Sequence, residues 1–443
     1  MPRKEFSASR REISMVVGVA LLQLLIATSA FSQSLVSMHR FSAQSAGRVP
    51  LQGSLLADAS GNLYGTTYYG GTANDGTVFE LSPPTSGGTW TETVLYSFAG
   101  GSDGKSPFAS LVADQAGNLY GSTTYGGTID EKGIVFQLVR PTTTGGAWTE
   151  NVLYRFQGGS NDGSFASGGL IFDAAGNLYG ETAFGGGCNN GTVFKLSPPA
   201  SQGGAWTETI LYSFQYSCNG SDGAEPGGGL AFDKGGALFG TTTFGSTAGG
   251  TVFRLLPPAA GHNQWTETVL HTFISGSDGY NPYGGVTIDS KGNLYGTTAT
   301  GGGSNGTNCT GTSGCGIVFE LSPPAVAGGE WTETILHVFT GGNDGASPFA
   351  GVIFDRNGNL YGTAVNGGIA TCGCGAVFKL TPQSTQGVAW TETTLHTFTG
   401  AGSDEGLPYS GLTFGKNRRL YGATSGNNAA KPRQYGTVFK IVP

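Results

Sequence analysis

One seven-residue pattern, Gly-Asn-Leu-Tyr-Gly-Thr-Thr, recurs along the whole chain and restricts its fold more than any other feature. Seven copies follow one another at intervals of roughly 56 to 66 residues, the last in a divergent form. They lie at residues 61–67, 117–123, 176–182, 235–241, 292–298, 358–363 and 417–424. A repeat of this length is a supersecondary unit too small to bury its own faces, so neighbouring units must pack together. The chain is therefore expected to form seven similar units.

The composition indicates short strands joined by tight turns. Glycine accounts for 79 of the 443 residues, against an average of roughly 7 % in proteins. These glycines fall at fixed positions of the repeat, which is typical of turns rather than of disorder. In one unit, four segments have the β-branched and aromatic character of strands; they are 108–114, 119–125, 133–138 and 148–156. No stretch after residue 33 shows the period of about 3.6 residues that a helix requires.

Four antiparallel strands in each of seven units predict an all-β fold, a seven-bladed β-propeller. The motif Trp-Thr-Glu of the fourth strand occurs only six times, because the last unit stops at its third strand. Residues 35–41 match the missing strand, so we expect this N-terminal strand to join the last blade and close the ring, which removes two aggregation-prone edges. The blades are expected near residues 51–98, 107–156, 166–214, 226–273, 283–339, 348–398, and 408–443 plus 34–41.

The amino terminus and the charge restrict where the protein works. Residues 1–33 combine a basic start, an apolar run at 13–30 and small residues before Gln33, which predicts a secretory signal peptide; an uncleaved membrane anchor is the alternative. Residues 34–443 are then one propeller, secreted or held in the cell envelope, with no membrane association after cleavage. The net charge is −7, and no Lys/Arg cluster lies outside the signal peptide, so nucleic acid is not an expected partner. A monomer is expected.

Three successive motifs within residues 61–98 resemble those of a known family. They are Gly-Asn-Leu-Tyr-Gly-Thr-Thr, Gly-Thr-Val-Phe-Glu-Leu-Ser-Pro-Pro and Trp-Thr-Glu-Thr-Val-Leu-Tyr-Ser-Phe. Over essentially all of residues 34–443 the chain resembles the Gloeo-Verruco repeat proteins, the choice-of-anchor tandem repeat GloVer-containing family. The resemblance implies an exported bacterial protein and implies no known activity.

Variable loops indicate which face of the propeller binds. The loops after the second strands and the crossovers between blades share one face, which we call the crossover face. These loops vary in length and carry all six cysteines, and variable loops on a rigid scaffold are where binding usually occurs. We therefore expect binding on the crossover face.

The even number of cysteines in an exported chain predicts disulfides. Cys188 and Cys218 belong to adjacent loops of blade 3 and are expected to pair. Cys309 and Cys315 share one loop and either pair together or pair with the blade 6 loop. Cys372 and Cys374 are separated by one residue, which is too tight for an easy bridge. A metal site needs further ligands at suitable spacing, so no metal is expected here.

Two series of residues on the crossover face are candidate binding residues. Aromatic side chains end the second strand in blades 1–4 and suggest a crescent of rings for a sugar or another flat ligand, with packing between blades as the alternative. They are Tyr69, Tyr125, Phe184 and Phe244. A carboxylate recurs in six crossovers and suggests a ring near the channel mouth that binds Ca²⁺ or a polyhydroxyl ligand, with turn formation as the alternative. These are Asp103, Asp162, Asp222, Asp278, Asp344 and Asp404.

Three further series are interpreted as structural. Asp58 and its repeat equivalents precede the first hairpin turn and are expected to form it. Glu92 and its equivalents lie on the outer strands, where charges protect an edge. Histidines replace Tyr in four outer strands, so they cannot converge on one metal; they are His39, His271, His337 and His396. No catalytic triad with a plausible meeting point is visible.

These observations favour an exported, non-enzymatic propeller that binds a glycan, a peptide or a cell-surface partner on its crossover face. The alternative is an extracellular propeller lyase or hydrolase that acts on polysaccharide or on a cyclic peptide. No catalytic residue and no cofactor are expected, with Ca²⁺ considered only for the Asp series.

Overall fold

The computed structural model describes residues 34–42, 47–85, 87–143, 145–201, 203–245, 249–259, 261–262, 264–274, 276–303, 309, 314–326, 328–368, 372–383, 390–426 and 435–442. The predicted signal peptide lies outside these residues. Within them the chain forms seven antiparallel sheets and one two-stranded ladder, with no α-helix. Three short 3-10 turns are present, at Gly101–Asp103, Tyr216–Cys218 and Lys416–Arg418. The predicted seven-bladed β-propeller is confirmed.

The strands follow the repeat. Up to the end of blade 1 they are β1 (Ser34–Arg40), β2 (Gly47–Arg48), β3 (Leu56–Ala57), β4 (Leu63–Thr67), β5 (Tyr69–Gly70), β6 (Thr77–Ser82) and β7 (Thr91–Ser97). Blade 2 contains β8 (Lys105–Pro107), β9 (Val112–Ala113), β10 (Leu119–Tyr125), β11 (Ile134–Val139) and β12 (Thr149–Arg155). Blade 3 contains β13 (Gly163–Ala166), β14 (Ile171–Phe172), β15 (Leu178–Gly185), β16 (Thr192–Ser197) and β17 (Thr207–Ser213).

The remaining blades repeat this order. Blade 4 contains β18 (Ala224–Pro226), β19 (Ala231–Phe232), β20 (Leu238–Phe244), β21 (Thr251–Leu256) and β22 (Thr266–Thr272). Blade 5 contains β23 (Thr287–Ile288), β24 (Leu294–Thr298), β25 (Ile317–Ser322) and β26 (Thr332–Val338). Blade 6 contains β27 (Ile353–Phe354), β28 (Leu360–Ala364), β29 (Ala376–Thr381) and β30 (Thr391–Thr397), and blade 7 contains β31 (Thr413–Phe414), β32 (Leu420–Thr424), β33 (Thr437–Val442) and β1.

The repeated motif forms a hairpin turn held by its aspartate. In blade 1, Asp58 Oδ1 accepts hydrogen bonds from the backbone N–H groups of Gly61 and Asn62, both at 2.8 Å. Asp58 Oδ2 accepts from the Asn62 amide and from the Tyr64 hydroxyl, at 3.0 and 3.3 Å. Gly61 adopts a φ of 96°, which a residue with a Cβ adopts only with strain. The turn-forming role predicted for this aspartate is confirmed.

The inner strand of blade 2 is interrupted, whereas the sequence predicted one strand over 108–114. Its two pieces, β8 and β9, pair with opposite ends of β10. The backbone between them bonds to blade 1 instead: Phe108 O accepts from Gly53 N at 3.1 Å, and Ala109 O accepts from the Thr66 hydroxyl at 3.2 Å. The prediction of a continuous strand was wrong because this segment connects neighbouring blades.

Seven phenylalanine pairs form the seams between adjacent blades. The Phe after each outer strand packs against a Phe of the next blade's third strand, with ring centroids 5.1 to 5.3 Å apart. The rings meet edge-on in six pairs and are tilted in the pair Phe273–Phe319. The pairs are Phe41–Phe79, Phe98–Phe136, Phe156–Phe194, Phe214–Phe253, Phe273–Phe319, Phe339–Phe378 and Phe398–Phe439. All of these rings are buried. The same contact therefore recurs at every blade boundary.

The N-terminal strand closes the ring as the sequence predicted. Strand β1 pairs antiparallel with β33, from Ser34 opposite Val442 to Arg40 opposite Thr437. Phe41 then supplies the seam between blades 7 and 1. The Arg40 guanidinium donates to the fully buried carboxylate of Glu405 in the last crossover.

The six cysteines form three disulfides. Cys188 pairs with Cys218 across a Cα separation of 5.9 Å, as predicted, and Cys309 pairs with Cys315. Cys372 pairs with Cys374 at a Cα separation of 5.2 Å. The expectation that this last pair is too tight was wrong, because Gly373 between them takes a positive φ of 58° and turns the chain.

Candidate functional site

An aromatic pocket opens on the crossover face between blades 1, 2 and 3. Its volume is about 390 Å³, within the range of roughly 300–1,000 Å³ that is usual for small-molecule sites. It is lined by Tyr68, Phe108, Thr124, Tyr125, Phe165, Ala166, Ser167, Ala183 and Phe184. The lining comes from the ends of second strands and the beginnings of inner strands, where the loops of the crossover face start.

Phe165 is the central ring of the pocket. It packs edge-on against Tyr125 with centroids 5.5 Å apart and against Phe184 with centroids 5.8 Å apart. All three rings are partly exposed. Phe108 contacts the Tyr68 ring at 6.2 Å, also edge-on. The pocket therefore offers several rings at different angles within one concave surface.

The left-handed backbone of Phe165 brings its ring into the pocket. Its φ is 59°, and its N–H donates to Lys132 O of blade 2 at 2.8 Å. Every blade has a residue in this conformation with the same bond to the preceding blade. The others are Val49, Ser106, Glu225, Asn281, Ser347 and Leu407. Phe165 is the aromatic member of this series, and its ring lines the pocket of blade 3.

The hydroxyl groups of Thr124 and Tyr68 lie on the pocket wall. Thr124 Oγ1 is buried without a hydrogen-bond partner, and a ligand group that reaches it would satisfy it. The Tyr68 hydroxyl lies close to Ser106 and Tyr125, and burial raises the pKa of Tyr68. Tyr68 therefore stays a neutral phenol that donates a hydrogen bond.

The pocket rim carries a charge and a projecting apolar side chain. The Lys132 ammonium lies 5.3 Å from the centre of the Phe165 ring, a cation–π contact. Ile129 of the same loop is 99 % exposed. This loop thus places a cation and an exposed apolar side chain beside the pocket.

The structure brings together only part of the predicted aromatic crescent. Tyr125 and Phe184 line the pocket, whereas Tyr69 and Phe244 do not. Tyr69 packs against Tyr68 and beneath Arg48. The sequence did not indicate Tyr68, Phe108 or Phe165 as pocket residues. For Phe165 the sequence signal is an aromatic residue at a repeat position where the other blades have other residue types. The binding role of the predicted residues stays a prediction.

The six crossover aspartates lie against outer strands rather than at the channel mouth. Each accepts a hydrogen bond from a backbone N–H of its own crossover, as Asp103 does from Ala99 N at 2.6 Å. Each also contacts the Tyr or His of its own outer strand, as Asp222 does with the Tyr212 hydroxyl at 2.7 Å. This geometry favours the turn-forming interpretation, and binding of an ion or ligand by all six stays a prediction.

Outer-strand glutamates complete these contacts across blade boundaries. We call each group of outer-strand Tyr or His, crossover Asp and next-blade Glu a rim cluster; Tyr96, Asp103 and Glu150 form the first. Burial, with Asp103 nearby, raises the pKa of Glu150 to about 7. The interpretation of these glutamates as charges that protect an outer edge stays a prediction. Oε1 is buried without a hydrogen-bond partner in five of them. These are Glu92, Glu150, Glu208, Glu267 and Glu333.

The central channel is narrow and is lined mostly by small residues. A cavity of about 90 Å³ lies among inner segments of blades 1 to 6. Behind this wall Glu181 replaces the threonine of the repeated motif. It is 1 % exposed, and Oε2 accepts from Gly229 N at 2.8 Å while Oε1 has no hydrogen-bond partner. Burial raises the pKa of Glu181 to about 8, so this carboxyl is neutral at pH 7.

A comparison with protein-family models shows the family to which the chain belongs. A family model described as the Gloeobacter/Verrucomicrobia repeat matches residues 26–245 and 91–309, more than half of the sequence. The chain belongs to the Gloeobacter/Verrucomicrobia repeat family. The resemblance noted from its motifs is thereby confirmed. No curated protein matches this Gloeobacter/Verrucomicrobia repeat protein at a significant level.

Several solved structures are similar to this chain at low sequence identity. PorZ, a surface component of the type-IX secretion system of Porphyromonas gingivalis, has a TM-score of 0.50 and 13 % identity, over 90 % of this chain and 48 % of PorZ. The polysaccharide lyase Uly1 has a TM-score of 0.48 and 12 % identity, over 90 % and 91 % of the two chains. A putative glucose dehydrogenase from Thermus thermophilus has a TM-score of 0.42 and 15 % identity, over 93 % and 100 %. At this level of identity the similarity to PorZ shows the fold alone.

The disulfides bear on the location of this Gloeobacter/Verrucomicrobia repeat protein. Three disulfides are typical of proteins that fold outside the reducing cytosol and indicate an extracellular protein. In the part of the chain that the structure describes, no helix has the length and apolar character needed to cross a bilayer.

Proposed function

We propose that this protein is an exported, non-enzymatic propeller that binds a glycan in the aromatic pocket of blades 1 to 3. The observation that carries the proposal is the grouping of Tyr125, Phe165 and Phe184 around one concave volume of about 390 Å³. Aromatic rings pack against the apolar faces of sugar rings, and adjacent hydroxyls bond the sugar hydroxyls. Tyr68 and the unpartnered Thr124 supply such hydroxyls.

The chemistry of the lining supports binding rather than turnover. Tyrosines are the only titratable residues among the described residues that line the pocket. A lyase needs a base that accepts a proton near neutral pH, whereas burial raises the pKa of Tyr68 and disfavours its phenolate. A hydrolase generally needs two carboxyl groups about 5–10 Å apart across the bond, and the lining contains none.

A glycan array tests the proposal, followed by calorimetry with the best oligosaccharide. The double variant Tyr125→Ala/Phe184→Ala is expected to bind that oligosaccharide about tenfold more weakly or worse, since each ring contact contributes about 0.5–1.5 kcal/mol beyond its buried area. Phe244→Ala is the matched control, because it removes a ring at the same repeat position outside the pocket. It is expected to bind like the wild type.

Three outcomes contradict the proposal. An array without any hit excludes a glycan and favours a peptide or protein partner. An equal loss of oligosaccharide affinity in the control and in the double variant means that the pocket is not the glycan-binding site. Release of reducing or unsaturated sugar in a parallel assay identifies the protein as an enzyme.

A further inference from the structure

The rim cluster between blades 4 and 5 differs in chemistry from the rim clusters at the preceding boundaries. In blades 1 to 3 the outer strand presents a tyrosine to the crossover aspartate, whereas blade 4 presents His271. Imidazole is a ligand for divalent transition metals, while a neutral phenol is a poor one. Replacing Tyr by His therefore turns a hydrogen-bonded pair into part of a donor set for a metal.

Three ligand atoms from two blades converge in this cluster. His271 Nε2 lies 3.1 Å from Asp278 Oδ1 and 4.0 Å from Glu333 Oε1. One ligand atom from each residue lies within 4.8 Å of the other two. Ligand atoms around a tetrahedral zinc lie roughly 3.3 Å apart, so small side-chain movements bring all three into coordination distance.

The glutamate of this cluster interacts with both of the other members, Asp278 and His271. Glu333 Oε1 is buried without a hydrogen-bond partner and faces His271. The corresponding Glu392 at the next boundary, beside His337 and Asp344, accepts a hydrogen bond from the Thr394 hydroxyl at 3.1 Å. In blade 5 the residue at the position of Thr394 is Ile335, which has no hydroxyl. The two boundaries therefore share ligand types but differ in whether a threonine hydroxyl bonds the glutamate.

One member of the cluster also lines a surface groove. His271 lines a groove of about 840 Å³ at the outer edge of the propeller, together with Arg254 and Trp331. The side chains of His271, Asp278 and Glu333 each retain 15–20 % exposure.

We propose that His271, Asp278 and Glu333 bind one divalent transition metal ion, most favourably Zn²⁺, and that the ion links blade 4 to blade 5. One imidazole nitrogen and two carboxylate oxygens fill three positions of a tetrahedral zinc, and water fills the fourth. The site is separate from the aromatic pocket and is independent of the glycan proposal.

Titration calorimetry with Zn²⁺ tests the site in the full chain, without a histidine tag and without chelating buffer. The wild type is expected to bind one Zn²⁺, and Zn²⁺ is expected to raise its unfolding temperature. His271→Tyr recreates the residue types of blades 1 to 3 and should preserve the fold while weakening Zn²⁺ binding at least tenfold. Glu333→Gln provides a second, nearly isosteric variant with the same expected loss.

His337→Tyr is the matched control, because it makes the same change in the cluster whose glutamate is bonded by a threonine hydroxyl. It should bind Zn²⁺ like the wild type. Absence of a stoichiometric site in the wild type overturns the proposal. Undiminished binding by the folded His271→Tyr or Glu333→Gln variant overturns it too, since the ion then binds elsewhere.

Discussion

Replacing Phe41 by alanine is expected to lower the free energy of unfolding by about 3–5 kcal/mol, the usual cost of removing a buried phenylalanine. Phe41 is 2 % exposed and packs edge-on against Phe79 with ring centroids 5.2 Å apart. This contact is the only phenylalanine pair between blades 7 and 1 among the described residues. Unfolding in urea with the disulfides intact, monitored by tryptophan fluorescence, measures the loss of unfolding free energy.

Phe214→Ala is the matched control for this change. Phe214 makes the same contact with Phe253, also at 5.2 Å, at the seam between blades 3 and 4. If the N-terminal strand closes the ring, the two variants lose similar stability. A negligible loss for Phe41→Ala beside a large loss for Phe214→Ala contradicts closure.

Replacing Glu181 by glutamine is expected to stabilise the protein at pH 7 by about 3 kcal/mol and to leave its stability at pH 4 unchanged. Burial raises the pKa of Glu181 from 4.5 to about 8. The folded state therefore binds this proton more tightly than the unfolded state does. The wild-type free energy of unfolding is therefore highest below the pKa that Glu181 has in the unfolded state. It falls as pH rises towards 8, by about 1.4 kcal/mol for each pH unit. Glutamine has the same shape and no proton to lose.

The measurement is the difference in unfolding free energy between variant and wild type at several pH values from 4 to 8. Glu330→Gln, at an exposed carboxyl, is expected to show no comparable change of this difference with pH. A Glu181→Gln variant that is no more stable than the wild type at pH 7 would show that Glu181 is ionised in the folded protein.

The architecture could be predicted because every repeat contains the same strand and turn motifs. Each Asp-x-x-Gly-Asn turn is local, since Asp58 bonds to residues three and four positions later. Closure followed from comparing the six Trp-Thr-Glu motifs with the seven turns. The turns depend on contacts within one blade, and ring closure was inferred from the number of motifs. A single sequence is therefore enough to predict both.

The sites were harder to predict because they depend on contacts between blades. Glu333 meets His271 only because adjacent outer strands face each other, and nothing in their spacing along the chain shows this. The ring of Phe165 reaches the pocket because its backbone is left-handed, a conformation that phenylalanine does not suggest. Glu181 was visible as a glutamate within Gly-Asn-Leu-Tyr-Gly-Glu-Thr, but its complete burial was not.

A cysteine cross-link tests the closed ring most directly. Val36 of β1 lies opposite Lys440 of β33, and the native cysteines that the structure describes are all paired. Val36→Cys with Lys440→Cys is expected to form a disulfide within one chain on oxidation, detected by mass mapping. Val36→Cys with Lys379→Cys, at the corresponding position of blade 6, is expected to form none. Failure of the first pair to cross-link, or cross-linking of the second pair, would contradict the closed seven-bladed ring.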